Sequence, residues 1–256
     1  MKKGNKDMNV YEIGNMGEKL SANRYPGRGI VLGLTPDGKE SVAAYFIMGR
    51  SVNSRNRIFA LEPDGIRTEA YDPSKMEDPS LIIYHPVRQL GRALIVTNGD
   101  QTDTIRDSLL AGKSYIDALR TRCYEPDGPN YTPRISGVVD QDGSFCLSIL
   151  KSADGDPACS HRYFYEYDAP LAGEGRFIHT YQENAEPLPS FEGEPRRVSV
   201  SAPDAETLAS QVWASLNEDN KVSLFVQYIH LATGERETVI LNKHGEQAHA
   251  ASKVPN

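Results

Sequence analysis

From residue 29 onward the chain alternates short apolar runs with tight polar turns. Ile30-Val31-Leu32-Gly33-Leu34 is followed by Thr35-Pro36-Asp37-Gly38 and then by Ser41-Val42-Ala43-Ala44-Tyr45-Phe46-Ile47-Met48, which predicts a hairpin. Residues 57–61 and 66–70, joined by Glu62-Pro63-Asp64-Gly65, predict a second, and 81–84 and 92–96 add further apolar runs. The first hundred residues therefore read as mainly β. Beyond them, residues 135–139, 145–150, 162–167, 176–181, 222–229 and 237–241 also read as strands, and Asp140-Gln141-Asp142-Gly143 is the clearest of their turns.

Two segments follow the helical period instead. Ile105, Leu109, Ile116, Leu119 and Cys123 share one face of a helix that Thr102 or Asp103 would cap and Pro126 would end. Leu208, Val212 and Leu216 form the stripe of a second, with Ser201 and Asp204 spaced like a capping box. Hairpins, helix, hairpins, helix is the order of an α+β protein with antiparallel sheets, and it disfavours an alternating parallel one. Two such sheets can stack face to face with helices outside. No Gly/Ser-rich linker divides the chain, so residues 25–243 read as one domain, preceded by a polar extension over 1–24 and followed by a loose polar tail over 244–256.

Composition narrows the function more than the fold. The 256 residues carry a formal charge of -7 spread in mixed-sign stretches, which argues against a general nucleic-acid surface. No apolar stretch is long enough to span a bilayer, and Met-Lys-Lys-Gly-Asn-Lys-Asp lacks a signal-peptide pattern, so a cytoplasmic protein with no membrane partner is expected. Cys123, Cys146 and Cys159 suggest neither a disulfide framework nor a zinc ribbon, and no histidine pair has metal-site spacing. Neither a metal nor another cofactor is expected.

Four segments hold candidate chemistry. Tyr25-Pro26-Gly27-Arg28-Gly29 lets backbone approach a ligand, with Arg28 forking onto an anion, or is a tight turn with a surface arginine. Gly49-Arg50-Ser51-Val52-Asn53-Ser54-Arg55-Asn56-Arg57 is the densest donor cluster in the chain; it suits a nucleotide monophosphate, or is a solvated basic loop. Asn98-Gly99-Asp100-Gln101-Thr102-Asp103 turns a strand into a helix N-terminus, which either holds a polar ligand edge or merely caps the helix. Tyr124-Glu125-Pro126-Asp127-Gly128-Pro129-Asn130-Tyr131-Thr132-Pro133-Arg134 is stiffened by three prolines, and Glu125, with Asp127 as its rival, is a general base or a solvated turn carboxylate. Tyr84 and His85 end an apolar run, where either can donate to an oxyanion or Tyr84 can be a buried, satisfied phenol.

Taken in order, Tyr-x-Gly-Arg at the first strand, Arg50-Ser51 with Asn56-Arg57, Asn98-Gly99 with Thr102-Asp103-Thr104-Ile105, and Tyr124-Glu125 with Thr132-Pro133-Arg134-Ile135 resemble the archaeal-type IMP cyclohydrolases. The likeness covers about residues 25 to 150, and the chain differs from the compact archaeal members by inserts at 52–55 and in the proline-rich loop. The resemblance implies an N-terminal-nucleophile-hydrolase-like fold, a four-layer α-β-β-α sandwich of two stacked, mainly antiparallel sheets. It also implies a departure from that superfamily's chemistry, because the first core strand is entered through Tyr25-Pro26-Gly27-Arg28 with no Cys, Ser or Thr nucleophile there.

The activity implied is closure of 5-formamidoimidazole-4-carboxamide ribonucleotide to IMP with loss of water, without a cofactor. The catalytic residues implied are Arg57, Tyr84 and Glu125. Arg28, Arg50, Ser51, Asn56, Asn98, Gly99, Asp100, Asn130, Thr132 and Arg134 then form the shell for phosphate, ribose and base. A homo-oligomer, with a tetramer as the leading candidate, follows from the same resemblance. The rival readings are a purine-nucleotide-binding protein without turnover and an amide hydrolase with a processed nucleophile.

Overall fold

The computed structural model describes residues 13–76, 79 and 82–252. Along the chain these form α1 (Met16–Ala22), β1 (Arg28–Leu34), β2 (Glu40–Met48), the one-turn α2 (Val52–Arg55), β3 (Arg57–Glu62), β4 (Gly65–Ala70), β5 (Val87–Leu90) and β6 (Ala93–Thr97). Next come α3 (Gln101–Leu110), α4 (Tyr115–Arg120), β7 (Arg134–Val139), β8 (Phe145–Ala153), β9 (Asp156–Tyr167), β10 (Glu174–His179) and β11 (Arg196–Ser199). The chain finishes with α5 (Ala205–Ser215), β12 (Lys221–His230), β13 (Arg236–Asn242) and β14 (Ala248–Ser252).

The strands make two seven-stranded sheets, one in the order β11-β10-β1-β2-β12-β13-β14 and the other a meander from β3 to β9. Every strand pairing within them is antiparallel. A strand covered on both faces has no need of polar alternation, and β2 shows why its apolar run is unbroken. Ala43, Tyr45 and Ile47 point between the sheets, where they meet Phe59, Val87, Leu94, Val96, Ile135 and Leu147 of the second sheet. Val42, Ala44, Phe46 and Met48 point the other way, onto Met16 and Leu20 of α1 and Leu208 and Val212 of α5. On the far side of the second sheet, Ile95, Val138 and Leu150 pack under Ile105 of α3 and Tyr115 and Leu119 of α4. The layers are thus α-β-β-α, the α+β sandwich expected.

Several local expectations are corrected. The stripe read as one helix over 105–123 is two helices, because Gly112 at φ 71° ends the first and Ser114 forms a capping box with Asp117 to start the second. The residue at the N-cap of α3 is Asp100, not Thr102 or Asp103, and Asp204 alone caps α5 by accepting from the Thr207 N–H. Of the run over 81–84, Leu81 lies outside the described residues, and Ile82 to Tyr84 form a bend beside β4 rather than a strand. The tail beyond 243 is not loose throughout: β14 pairs with β13 and closes the edge of the first sheet, and the His244 ring stacks on Tyr71. Of the N-terminal extension, residues 1–12 lie outside the description, while α1 is folded against α5 through Met16 and Leu20. Among the described residues no helix is long and apolar enough to cross a membrane.

Candidate functional site

One end of the sandwich gathers the start of β1, the end of β2, the starts of β3 and β7 and the end of β10. Arg28 shares strand parity with Ile30 and Leu32, so its side chain enters the space between the sheets. Tyr45 of β2 enters the same space, as does Arg57, in parity with Phe59 of β3. Tyr84 reaches it from the bend beside β4, which Thr68 secures: the Thr68 N–H donates to the Tyr84 carbonyl at 2.9 Å, and the Tyr84 N–H donates back to the Thr68 hydroxyl at 2.9 Å. The phenols of Tyr45 and Tyr84 are hydrogen-bonded at 3.1 Å. Glu125 arrives from the proline-rich loop, whose mouth is closed by its N–H donating to the Thr132 carbonyl at 2.9 Å. Tyr181, just past β10, completes the group, with its ring stacked on Tyr25.

Arg57, Tyr84 and Glu125 are all buried, and Arg28 lies within electrostatic reach of each. Burial pushes the Glu125 carboxyl above its usual range, while the guanidinium groups of Arg28, Arg134 and Arg57 pull it back. Burial works against the charge of Arg28, but Glu125 and then Tyr181, Tyr25 and Tyr84 outweigh it, so this arginine stays firmly cationic. Arg57 is shifted down by burial and by the Arg28 charge. Burial and the neighbouring Tyr84 push Tyr45 well up, and burial raises Tyr181 to about 12, so both phenols are neutral at physiological pH.

Among the described residues, no group bonds the Arg28 guanidinium or the Glu125 carboxylate, and the buried Nε of Arg28 is without a partner. A partly buried guanidinium and a buried carboxylate left free by the fold, beside neutral phenols, form a site for a ligand that presents both an oxygen acceptor and an N–H donor.

Other predicted site residues are committed to the scaffold. Asn98 is fully buried and its amide serves the scaffold, donating to the Pro133 carbonyl at 2.8 Å and accepting from Ile135 N–H at 2.8 Å and Gln101 Nε2 at 3.1 Å. Asn56 likewise makes two bonds of 2.7 Å with the backbone of Asp72. In the donor-rich loop, Ser51 and Ser54 cap each other around α2, Arg55 bonds Gly49 and Asn220, and Arg57 Nε donates to the Ser54 carbonyl at 2.8 Å. Much of what the sequence offers there as ligand donors therefore holds the loop itself. Arg50 crosses to Asn184, Ala185 and Glu186 and lies over the Tyr25 ring at 5.2 Å. Asn130 accepts from the Leu188 N–H at 3.0 Å.

Arg134 is brought to the N-terminus of α3, bonding Gln101 at 2.7 Å and pairing with Asp100 at 2.8 Å, and Arg122 also bonds Asp100. Gly99 makes room for this, since a Cβ there would lie 2.3 Å from an Arg134 nitrogen. Gly27, at φ 79°, lets the chain pass Tyr181, whose ring would stand 2.5 Å from a Cβ. Sequence reasoning missed Tyr45 and Tyr181 as site residues: Tyr45 is hidden in a continuous apolar run, and Tyr181 ends a strand with nothing local to mark it. Among the described residues no group of three or more His, Cys, Asp or Glu is placed to hold a metal ion.

Because Asn98 satisfies three backbone and side-chain partners where β6, α3 and β7 meet, Asn98→Ala is expected to cost on the order of 3 kcal/mol in urea unfolding, as each orphaned buried group loses its bond. A midpoint unchanged from the parent would show that the amide carries no such load.

The model of the family described as "IMP cyclohydrolase-like protein" matches residues 25–235. A Methanopyrus kandleri IMP cyclohydrolase is 31% identical over 166 residues, covering 63% of this chain and 77% of that protein. A Halobacterium salinarum IMP cyclohydrolase is 30% identical over 158 residues, 58% of this chain and 76% of that protein. An IMP cyclohydrolase of Methanococcus maripaludis strain C7 is 36% identical over 128 residues, 47% of this chain, and the match spans 61% of that relative, short of two thirds of its length.

Proposed function

The chain belongs to the IMP cyclohydrolase-like family, and from that premise we propose that it closes 5-formamidoimidazole-4-carboxamide ribonucleotide to IMP and water at the cluster of Arg28, Arg57, Tyr84 and Glu125. The carboxamide nitrogen attacks the formyl carbon of the same molecule, and the carbinolamine then dehydrates. No nucleophile from the protein is required, so the work consists of holding the reactive rotamer, stabilising an oxyanion and moving protons. The observation that carries this reading is the pairing of the Arg28 guanidinium with the buried Glu125 carboxylate, neither hydrogen-bonded among the described residues, beside the neutral phenols of Tyr45 and Tyr181.

In this assignment Glu125, made more basic by burial, takes the carboxamide proton, and Arg28 joins Arg57 and Tyr84 in facing the formyl and carboxamide oxygens. Phosphate goes to the Arg50–Ser51 side, because Glu186, the partner of Arg50, has a side chain 75% exposed; so weak a pair yields readily to a phosphate. Gly99, Asp100, Asn130 and Arg134 are assigned to the ribose and base, while Asn56, Asn98 and Thr132, whose polar groups are taken up by protein partners, act as support for the site rather than as ligand contacts. A cytoplasmic homo-oligomer is the setting we propose for this activity.

An amide hydrolase with a chain-terminal nucleophile fits less well, since α1 packs on α5 ahead of β1 and the strand opens with an arginine. Incubating the purified protein with the formamido nucleotide and following IMP by chromatography tests the proposal. IMP formed in proportion to enzyme is expected; tight IMP binding with no turnover would instead indicate a nucleotide-binding protein.

A further inference from the structure

Beside the catalytic cluster lies a chain of three side chains that the reaction as described leaves unused. Asp127 accepts from the Thr132 N–H at 2.6 Å and from the Thr132 hydroxyl at 2.5 Å, and the Thr132 hydroxyl oxygen lies 2.6 Å from the Tyr181 phenol. The direction of the bonds is fixed by counting hydrogens. A threonine hydroxyl has one, and here it goes to the carboxylate, so the contact with Tyr181 must be a donation from the phenol to Thr132. The Tyr181 proton is thereby spent outward, and its oxygen meets the site beside Arg28 as an acceptor. Thr132 and Tyr181 are buried, whereas Asp127 is partly open to solvent. The chain therefore runs from the interior of the cluster to water.

We propose that Tyr181, Thr132 and Asp127 form a one-way proton exit used in the dehydration half of the reaction, an inference that rests on the ring-closing function proposed above. Two N–H protons must leave nitrogen during ring closure, and the departing oxygen must gain two. Glu125 carries the first, from the carboxamide nitrogen to the formyl oxygen. The second leaves the formamido nitrogen as the electron pair of that N–H bond becomes the C=N bond and the C–O bond breaks. The Tyr181 oxygen takes this proton while passing its own to Thr132, and Thr132 passes its own to the Asp127 carboxylate, which releases it to water. The expelled hydroxide takes a proton from solvent, so the step yields one water and restores the protonation state of every side chain; the Tyr181 and Thr132 hydroxyls, whose hydrogens now face inward, rotate back before the next turnover. Separating the two tasks also explains why the loop supplies both carboxylates: Glu125 is buried at the reacting atoms and Asp127 is wet.

Thr132 and Asp127 are positioning and relay residues in this scheme, and the variants that test it are Thr132→Val, Thr132→Ser and Asp127→Asn, assayed with the formamido nucleotide alongside the parent. Thr132→Val keeps the shape and loses the hydroxyl; it should lower kcat about tenfold or more with KM within about threefold, and Thr132→Ser should recover most of the loss. Asp127→Asn should also lower kcat at unchanged KM, and it decides the matter if the valine variant does not fold. The solvent deuterium isotope effect on kcat should be larger in the parent than in Thr132→Val. A parent that turns over and variants that match it, or that lose only KM, would overturn the relay and leave the ring-closing function standing. A parent that makes no IMP would overturn both.

Discussion

Glu125→Gln is expected to lower kcat by about a hundredfold or more while leaving the protein at least as stable as its parent. Both halves follow from one fact: the carboxyl is buried with no hydrogen bond from the described residues, so the fold pays to keep it charged. Glutamine is nearly isosteric but cannot take the carboxamide proton. The stability argument has a definite sign. A carboxyl raised in the folded state binds its proton more tightly there than in the unfolded chain. Its stabilising contribution is therefore full below the unfolded value of about 4.3 and is lost as pH rises through the folded one. At neutral pH the parent carries that deficit and the glutamine variant does not. Thermal unfolding at pH 7 should show an equal or higher Tm for Glu125→Gln, with any advantage shrinking toward pH 4; a clear loss of Tm at pH 7 would mean that the carboxylate is structurally paired instead.

Arg28→Gln is expected to reduce kcat/KM by about a hundred- to a thousandfold, the scale of losing a preorganised donor at a developing oxyanion. A second effect separates this from a simple loss of binding. Arg28 is the foremost of the charges that hold the raised carboxyl of Glu125 down, so removing it should push that carboxyl higher still. The acid limb of the kcat/KM profile, which reports the base in its ionised form, should move to higher pH in Arg28→Gln. A limb at the same pH as in the parent would uncouple the two residues.

How far the sequence speaks depends on the range of the interactions involved. The strands between the sheets were legible because apolar runs bounded by Pro-Asp-Gly turns have local causes, and β1 to β4 fall where those runs lie. The split between α3 and α4 was hidden: both helices pack on the same face of the second sheet, so the apolar stripe continues across the break at Gly112. β5, with the sequence Val-Arg-Gln-Leu, and β14, with Ala-His-Ala-Ala-Ser, carry little apolar pattern and exist because a neighbouring strand offers an edge.

The site shows the same division. The loop over 49–57 drew attention by donor density, yet most of those donors are consumed within a few residues of themselves or by Asp72 and Asn220. Tyr181 had no local signal, because the contact that orients its hydroxyl is with Thr132, 49 residues earlier in the chain. Arg28 was visible as an arginine among glycines, but only the fold reveals that its buried Nε finds no partner among the described residues.

In the proposed reaction one nucleotide is folded on itself between the two sheets, against Arg28, Arg57, Tyr84 and position 125. A crystal structure of the Glu125→Gln protein with the formamido nucleotide tests this most directly, since that variant should bind the substrate and leave it unclosed. The imidazole ring is expected within hydrogen-bonding distance of Arg28 and of the side chain at 125. A nucleotide seated instead in the groove beneath α1 that Lys19, His179 and Arg196 line, without touching Arg28 or Tyr84, would contradict it.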